Sequence, residues 1–244
     1  MDDNKPSIPR RTLLIQAASV VGAGAILPAE AFSASAPISA GLSPNSESAT
    51  PPPYLSLSPD EATFVEALVN VMCPADAHTL NGVDCGLATY IDRQLAGSFG
   101  KGGGRYQRGP FRSGKPELGL QLPLTPEQFF KAGIAAAGAA SLHAHGHAFD
   151  QLSPNTANEF LLELATGKLL DGQIPLASWF NDLVYPLFVE ACFADPMYGG
   201  NRLAVFWEMI GYPGLPATHT LDMVKYRGKR YPAASRPKSI VDFS

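Results

Sequence analysis

Three cysteines are the residues of this sequence best suited to covalent chemistry. Cys73 and Cys85 flank a short segment that contains proline and glycine, and Cys192 lies far along the chain. In an oxidising compartment, a Cys73–Cys85 disulfide would close a loop of roughly a dozen residues and stabilise the fold by about 3 kcal/mol. Cys192 would then pair with another chain or remain a buried thiol. The alternative is that all three are free, buried and apolar.

A histidine cluster is the second candidate for chemistry. His143 and His147 lie four residues apart, so on a helix they would share one face and could bind a metal ion. Asp150 is the nearest further ligand, and a polar helix face explains the same residues. This face supports an alternative function, that of a free-standing periplasmic enzyme or metal-binding protein.

Cofactor fingerprints are missing from the sequence. The run from Gly100 to Arg105 lacks the last glycine of the dinucleotide motif and does not follow a strand. A phosphate-binding loop and a haem-attachment C-x-x-C-H motif are also missing, and three cysteines are too few for an iron–sulfur cluster. Glu159 and Glu163 share a helix face without forming a catalytic pair. The sequence therefore predicts no catalytic, cofactor-binding or metal-binding residue in this chain.

Composition narrows the class of protein further. The chain has 244 residues, with 18 Lys and Arg against 22 Asp and Glu, so its net charge is −4. No domain-wide basic excess indicates nucleic-acid binding. Only 16% of the residues are charged, against an average of about 25%. A surface poor in charge favours a protein that covers part of itself with a partner.

The N-terminus has the pattern of an export signal. Arg10 and Arg11 precede an uncharged, moderately apolar run over residues 13–27, which is shorter than the roughly 20 residues of a membrane span. Ala29-Glu30-Ala31 follows as a signal-peptidase site, and residues 34–36 form a less favourable one. The paired arginines resemble a twin-arginine signal, which exports folded proteins. An ordinary secretory signal is the alternative. We expect the protein to be periplasmic.

The chain divides into four parts. Residues 1–31 are the predicted signal peptide. Residues 32–56 are rich in Ser, Ala and Pro and predict a flexible tether. Residues 57–215 form the folded domain. Residues 216–244 form a basic tail, which is expected to lie over a partner, with the cations Lys225, Arg227, Lys229, Arg230, Arg236 and Lys238.

Helical patterns dominate the folded part. Ser58-Pro59 and Thr125-Pro126 each combine a cap with proline at the first helical position and Glu or Gln three residues after the cap. Ser153-Pro154 begins a further helix. Alternation with period two is nearly absent, so the fold class is mainly α, an irregular helical domain with long loops. The predicted helices lie at 59–73, 86–96, 125–147, from 153 onwards, at 176–193 with a kink at Pro186, and at 201–210.

The longest predicted loop runs from Gly97 to Pro123. It is rich in glycine and cations, and such long loops in compact domains are uncommon and often functional. It is interpreted as a partner-binding arm, with a solvated mobile loop as the alternative. The side chains expected to contact a partner are Arg105, Tyr106, Arg108, Phe111 and Arg112.

Several sequence segments, taken in their order along the chain, carry a family resemblance. The sharpest ones are ADPMYGGNR at 194–202 and IGYPG at 210–214, preceded by LSPDEATFVEALVNVMCPAD, GLATYIDRQLAG, YQRGPF and LTPEQFFKAGI. Over roughly residues 54–215 the chain resembles the small subunit, called subunit 3 or gamma, of membrane-associated gluconate 2-dehydrogenase.

The resemblance implies a heterotrimer in the periplasm. A flavoprotein with FAD would oxidise the sugar acid, gluconate to 2-ketogluconate, and a multihaem cytochrome c would carry electrons to the membrane. The small subunit would hold no cofactor, accompany the flavoprotein through export, and meet the membrane only through the complex. A general export chaperone is a further hypothesis.

The corner between the last two predicted helices is expected to hold much of the partner interface. Its candidate residues are Asp195, Tyr198, Arg202 and Trp207, because aromatic residues and arginine are enriched at interfaces. We expect this corner and the Arg105–Arg112 loop to bind the flavoprotein together. A plain helix–turn–helix corner would need only the proline and the glycines.

Overall fold

The structure is a computed structural model, and it describes residues 53–105, 108–112, 122–169, 174–215, 220–232 and 236–243. Within these ranges the fold is mainly α and contains no strand, as the sequence predicts. None of the helices there is both long and apolar enough to cross a membrane. The helices are α1 Pro59–Met72, α2 Leu87–Ala96, α3 Pro126–His145, α4 Pro154–Thr166, α5 Leu176–Trp179, α6 Tyr185–Phe193, α7 Val205–Ile210 and α8 Thr220–Lys225.

The predicted helix starts are confirmed at the level of their caps. The Ser58 hydroxyl accepts a hydrogen bond from the Glu61 amide, and the Glu61 carboxylate accepts one from the Ser58 amide. Thr125 and Gln128 form the same reciprocal pair at the start of α3. These caps satisfy backbone N–H groups that have no partner inside the helix, so short local sequences fix where the helices begin.

The core is centred on Trp179, which is fully buried at the end of α5. Its indole N–H donates to the Phe130 carbonyl at 3.1 Å. Gly133 allows this approach, because a Cβ there would lie 2.0 Å from the indole nitrogen. Phe64 of α1 packs against Phe149, with ring centroids 4.9 Å apart. The core therefore joins α1, α3 and α5 through aromatic contacts.

The predicted kink at Pro186 takes the form of a widened turn. A π-helical segment, Phe180–Val184, joins α5 to α6 directly before Pro186. Proline has no amide hydrogen to donate, and its ring collides with the carbonyl four residues earlier in a regular helix. A π-helical turn moves that carbonyl away, so the chain stays helical from α5 through α6.

The folded domain begins earlier than the sequence indicates. The Asp92 carboxylate, 2% exposed, accepts backbone hydrogen bonds from Leu55 at 2.7 Å, Ser56 at 2.8 Å and Leu57 at 2.9 Å. Residues 54–56 are therefore part of the domain rather than of the predicted tether. Three backbone N–H groups satisfy a carboxylate that would otherwise be costly to bury.

Three further hydrogen bonds hold the same segment. The Tyr54 hydroxyl donates to the Glu66 carboxylate at 2.7 Å. The Ser56 hydroxyl donates to Glu127 at 2.6 Å, and Lys131 donates to the Ser56 carbonyl at 2.5 Å. The beginning of the domain is thus fixed to α1, α2 and α3 together. The remainder of the predicted tether and the predicted signal, with Arg10, Arg11, Ala29 and Ala31, lie outside the described residues.

Candidate functional site

The segment between α6 and α7, residues 194–204, forms the corner that the sequence singles out. Asp195 accepts a hydrogen bond from the Met197 amide at 2.9 Å and so caps the 3-10 turn Pro196–Tyr198. Gly199 follows with φ +99°, a conformation that favours glycine. Gly200 lies so close to α6 that a Cβ would be 2.4 Å from the Ala191 carbonyl oxygen.

Asn201 joins the two sides of the corner. It is fully buried, and its amide donates to the Ala194 carbonyl at 3.1 Å while its carbonyl accepts from the Phe206 amide at 3.0 Å. The sequence predicts Asn201 as a helix cap, and it does serve α7, although α7 begins only at Val205. The Arg202 amide donates to the Cys85 carbonyl at 3.0 Å, which attaches the corner to the start of α2.

The backbone just before α7 is strained. Asn201, Leu203 and Ala204 have φ values of 44°, 59° and 55°. Side chains with a Cβ pay roughly 1–2 kcal/mol in this left-handed region. Leu203 combines this conformation with 77% exposure of its side chain. Strained backbone that displays an apolar side chain is typical of binding sites, where the surrounding structure holds the conformation.

The surface around the corner is rich in exposed apolar side chains. Scattered apolar residues are normal on a protein surface, but a concentration of large ones marks an interaction site. Here they occur at the end of α6, along the corner and down α7, over a short stretch of chain. They are Phe193, Met197, Tyr198, Leu203, Met209, Ile210 and Tyr212.

Trp207, one of the predicted interface residues, lies in the interior instead. It is 5% exposed, and its indole N–H donates to the Phe193 carbonyl at 2.7 Å. Tyr212 covers it with a T-shaped contact, at a centroid distance of 5.0 Å. Its place on the predicted interface is therefore wrong, because its ring is needed to pack α7 against the end of α6. Tyr198 and Arg202 are exposed, as an interface requires.

Asp195 has an intramolecular role. Its carboxylate accepts from the Ser239 hydroxyl at 2.6 Å and from the Ile240 amide at 3.0 Å. Burial of this carboxyl opposes ionisation, but its hydrogen bonds from Ser239, Met197 and Ile240 outweigh that effect and lower the pKa of Asp195. The group predicted to contact a partner is thus occupied by the chain's own tail.

The end of the tail is folded back rather than free. A parallel β-bridge pairs Gly214 with Lys238, the Leu215 amide donates to the Lys238 carbonyl at 2.8 Å, and the Lys238 amide donates to the Pro213 carbonyl at 3.1 Å. A Cβ at Gly214 would lie 2.2 Å from that Lys238 carbonyl oxygen. Residues 238–243 therefore form one unit with the corner.

The first part of the glycine-rich loop packs against the domain and does not extend away from it as the predicted arm would. Its first turns fold tightly after α2, where a Cβ at Gly100 would lie 1.8 Å from the Leu95 carbonyl oxygen. Lys101 is ion-paired with Glu127. The Arg105 guanidinium lies 5.5 Å from the centre of the Phe99 ring.

The outer part of this loop holds the remaining predicted contact residues. Arg108, Phe111 and Arg112 are exposed, and Tyr106 lies outside the described residues. In the ranges that the structure covers, no hydrogen bond, ion pair or ring contact joins this loop to the corner. The described residues of the two predicted halves of the interface therefore share none of these contacts.

Cys73, Cys85 and Cys192 are all buried, and the predicted Cys73–Cys85 disulfide is not formed in the structure. Both thiols instead meet the Leu80 carbonyl oxygen, at 3.8 Å from Cys73 and 3.4 Å from Cys85. A side-chain hydrogen bond that the Cys85 thiol makes with Cys73, together with burial, raises the pKa of Cys85, and burial raises the pKa of Cys192. Protonated thiols are poor nucleophiles and poor metal ligands. Cys192 lies inside the domain, away from a position that could pair with another chain.

The histidine face does not form. Helix α3 ends at His145, and Gly146 with φ 71° turns the chain before His147. His143 and His147 therefore do not share a helix face, and both are exposed. In the part of the chain that the structure describes, no group of three or more His, Cys, Asp or Glu side chains is arranged to hold a metal ion.

A cavity of about 170 Å³ lies against the corner, and sequence reasoning missed half of it. Thr89 and Arg93 line it from α2, and Arg202 and Leu203 line it from the corner. The sequence feature that could have indicated these two residues is the face of α2 opposite its buried apolar residues, where Thr89 and Arg93 lie four positions apart. Nothing local indicates that residues more than a hundred positions later would meet that face.

Comparison with known proteins gives one match. A family model described as gluconate 2-dehydrogenase subunit 3 matches residues 59–214. No curated protein and no solved structure matches the chain. The matched range contains α1 to α7 and the whole corner, and it ends at the glycine that pairs with the tail.

Proposed function

The chain belongs to the gluconate 2-dehydrogenase subunit 3 family, and on this premise we propose that it is the non-catalytic small subunit of a periplasmic, FAD-dependent sugar-acid dehydrogenase. Membership of this family makes it an auxiliary subunit of a dehydrogenase complex. The reaction we propose for the complex is the oxidation of gluconate to 2-ketogluconate. A multihaem cytochrome c subunit would attach the complex to the inner membrane and pass electrons to it.

The observation that carries this proposal is the exposed apolar surface at the corner. Leu203 is held outward at 77% exposure by left-handed backbone, and Tyr198, five residues earlier in the chain, is 47% exposed. Exposed apolar surface of this kind marks interaction sites, and a subunit needs one to bind its neighbour. The partner we assign to this surface is the flavoprotein subunit.

The division of labour in the complex follows from the side chains that this chain offers. FAD and haem c would belong to the partner subunits. This chain would supply a rigid binding surface, with the Cys85 and Cys192 thiols protonated and the buried carboxylate Asp92 satisfied by backbone N–H groups. We further propose that Arg10 and Arg11 form a twin-arginine signal that carries the flavoprotein through the membrane with this chain.

Co-purification tests the proposal. A tagged full-length chain, expressed with the neighbouring genes of its own genome, should retain a yellow flavoprotein that oxidises a sugar acid with an artificial electron acceptor. The chain purified alone should show no flavin or haem absorbance and no such activity. Stoichiometric flavin in the isolated chain, or elution of the chain alone from the co-expressing cells, would contradict the proposal.

The same preparation distinguishes two hypotheses, that the chain is a permanent subunit and that it is an export chaperone. A subunit should remain bound to the mature periplasmic enzyme in a fixed ratio. A chaperone should be needed for export of the flavoprotein and yet be absent from the mature enzyme.

A further inference from the structure

Two arginines face one small cavity at the corner. Arg93 enters from α2 and Arg202 from the strained segment before α7, and both line the cavity of about 170 Å³. Arg93 lies directly on Gly199, where a Cβ would be 2.7 Å from the guanidinium nitrogen Nη1. The missing side chain at Gly199 thus leaves room for the guanidinium at the wall of the cavity.

Neither guanidinium has an acidic partner among the residues that the structure describes. Elsewhere in the described residues, the cations Lys101 and Lys131 are paired with Glu127 or Glu61. Arg93 and Arg202 take part in no ion pair or side-chain hydrogen bond within the same ranges. Arginine remains charged at all physiological pH values, so two positive charges share this cavity without a counter-charge. A bound anion would offset the repulsion between these two charges.

The chemistry of the anion follows from the shape of the donors. A guanidinium presents parallel N–H groups that match the two oxygens of a carboxylate. The cavity is smaller than the roughly 300 Å³ at which small-molecule sites usually begin. It therefore suits a single carboxylate group better than a whole sugar acid.

The rim of the cavity indicates where the carboxylate comes from. Leu203 lines the cavity and is 77% exposed, and Met197 and Tyr198, which directly follow the lining residue Pro196, are 41% and 47% exposed. Apolar side chains around a charged centre exclude water when a protein surface covers them, which strengthens the central ion pair. A free small anion would leave these side chains in water.

We propose that the Arg93–Arg202 cavity receives an Asp or Glu side chain of the partner subunit, and that Leu203 packs against the partner beside it. This rests on the function proposed above and specifies where and how the flavoprotein is held. The carboxylate would carry the specificity of the contact, and the apolar rim would exclude water from it.

Charge-removing variants in the complex test this assignment. Arg93→Gln and Arg202→Gln in the full-length chain should each raise the Kd for the co-purified flavoprotein by about tenfold or more, since loss of one partner of a covered ion pair acts mainly on dissociation. Arg202→Lys should give an intermediate loss, because it keeps the charge and loses the paired N–H groups. Lys168→Gln at the end of α4 removes the same charge outside the corner and should leave the Kd unchanged. The thermal midpoints of the isolated variants should match that of the wild type, because both arginines are exposed.

Two outcomes would overturn the assignment. Equal Kd values for wild type, Arg93→Gln and Arg202→Gln would show that no partner carboxylate binds here, while the wild-type complex would still support the proposed function. Failure of the wild type to bind any flavoprotein would contradict both this assignment and the proposed function. A separate titration of the isolated chain with sodium gluconate, followed by the arginine Nε–H resonances, distinguishes the source of the carboxylate. Saturable gluconate binding that Arg202→Gln abolishes would assign the cavity to a free anion instead of a partner.

Discussion

The Asp195 carboxylate accepts a 2.6 Å hydrogen bond from the Ser239 hydroxyl, which joins the corner to a residue 44 positions later in the chain. The family match ends at residue 214, so this bond attaches a segment beyond the matched domain to the most distinctive part of that domain. The same carboxylate caps the 3-10 turn through the Met197 amide. Asp195 therefore positions both the corner and the tail.

Asp195→Asn should loosen the tail without unfolding the domain. Asparagine can still cap the turn but loses the charge-assisted bonds to Ser239 and Ile240, at a cost of about 1 kcal/mol. Hydrogen exchange should become faster at residues 239–241 and stay unchanged in α3. Asp150→Asn, an exposed acid in another 3-10 turn, is the control. Unchanged exchange at Ile240 would show that other contacts hold the tail.

The same carboxylate predicts a pH dependence. Because the folded pKa of Asp195 is lowered from 3.8, its stabilising effect is complete above that value and is lost as the pH falls through the folded pKa. The Ile240 amide resonance should therefore shift towards its released position below about pH 4 in the wild type. In Asp195→Asn this titration should vanish. A titration that survives the substitution would assign it to another acid.

Leu203→Gly should separate stability from binding. Glycine adopts φ 59° without strain, which stabilises the folded state. Glycine also loses more conformational freedom on folding, which opposes this gain. The free energy of unfolding should therefore stay equal or rise by up to about 1 kcal/mol. Binding of the flavoprotein should weaken, because an apolar side chain that is 77% exposed is gone. Leu203→Ala is the matched control, since it removes the same contact without relieving the strain. Strong destabilisation of the isolated chain by glycine would contradict the assignment of strain.

Tyr198→Ala and Trp207→Ala should have opposite signatures. Trp207 is 5% exposed, and its removal should destabilise the isolated chain by about 3–5 kcal/mol. Tyr198 is 47% exposed, and its removal should change the stability by less than about 0.5 kcal/mol while reducing retention of the flavoprotein. Thermal unfolding and pull-down measure the two effects, and Tyr198→Phe should behave as wild type in both. Full retention of the flavoprotein by Tyr198→Ala would place the interface elsewhere.

Asp92→Asn should weaken the beginning of the domain. The buried carboxylate accepts three backbone hydrogen bonds from residues 55–57, and the neutral amide cannot replace them at equal strength. We expect a loss of about 2–3 kcal/mol in chemical denaturation, with faster exchange at residues 55–57. Asp60→Asn in the exposed first turn of α1 should cost less than about 1 kcal/mol. Equal effects of the two substitutions would show that the three bonds contribute little.

Replacing Arg10 and Arg11 by Lys tests the export proposal. Two lysines keep the charge that an ordinary secretory signal needs, but a twin-arginine pathway requires the arginines themselves. The variant should leave both this chain and the flavoprotein in the cytoplasm, as measured by dehydrogenase activity in cell fractions. Undiminished periplasmic activity would mean that the pair does not direct export of the complex.

Local sequence was sufficient for most of the secondary structure. Ser58 with Glu61 and Thr125 with Gln128 are three residues apart, so each capping pair forms wherever the rest of the chain goes. The interruption at Pro186 follows in the same way from the missing amide hydrogen of one residue. These features depend on neighbours along the chain, which is why the helix positions could be predicted closely.

The sequence predicts the segment that forms the candidate site, but it does not predict which side chains of that segment are exposed. Sequence reasoning placed both Tyr198 and Trp207 on the interface, since both are large aromatic residues beside the same turn. Their burial differs because the side of α7 that carries Trp207 packs against the end of α6, a fact that no local pattern contains. The failure of the His143–His147 face has a local cause that was overlooked, since Gly146 ends α3 between the two residues.

The sequence by itself determined that this protein is helical, that the segment at 194–214 is its distinctive part, and that it resembles a dehydrogenase subunit. Only the tertiary structure decided that Asp92 would bind residues 55–57, that Asp195 would bind the tail, and that Arg93 and Arg202 would share one cavity. The reason is physical. Helix caps and breaks arise from interactions within a few residues, whereas burial and charge pairing depend on which distant segments meet when the core closes around Trp179.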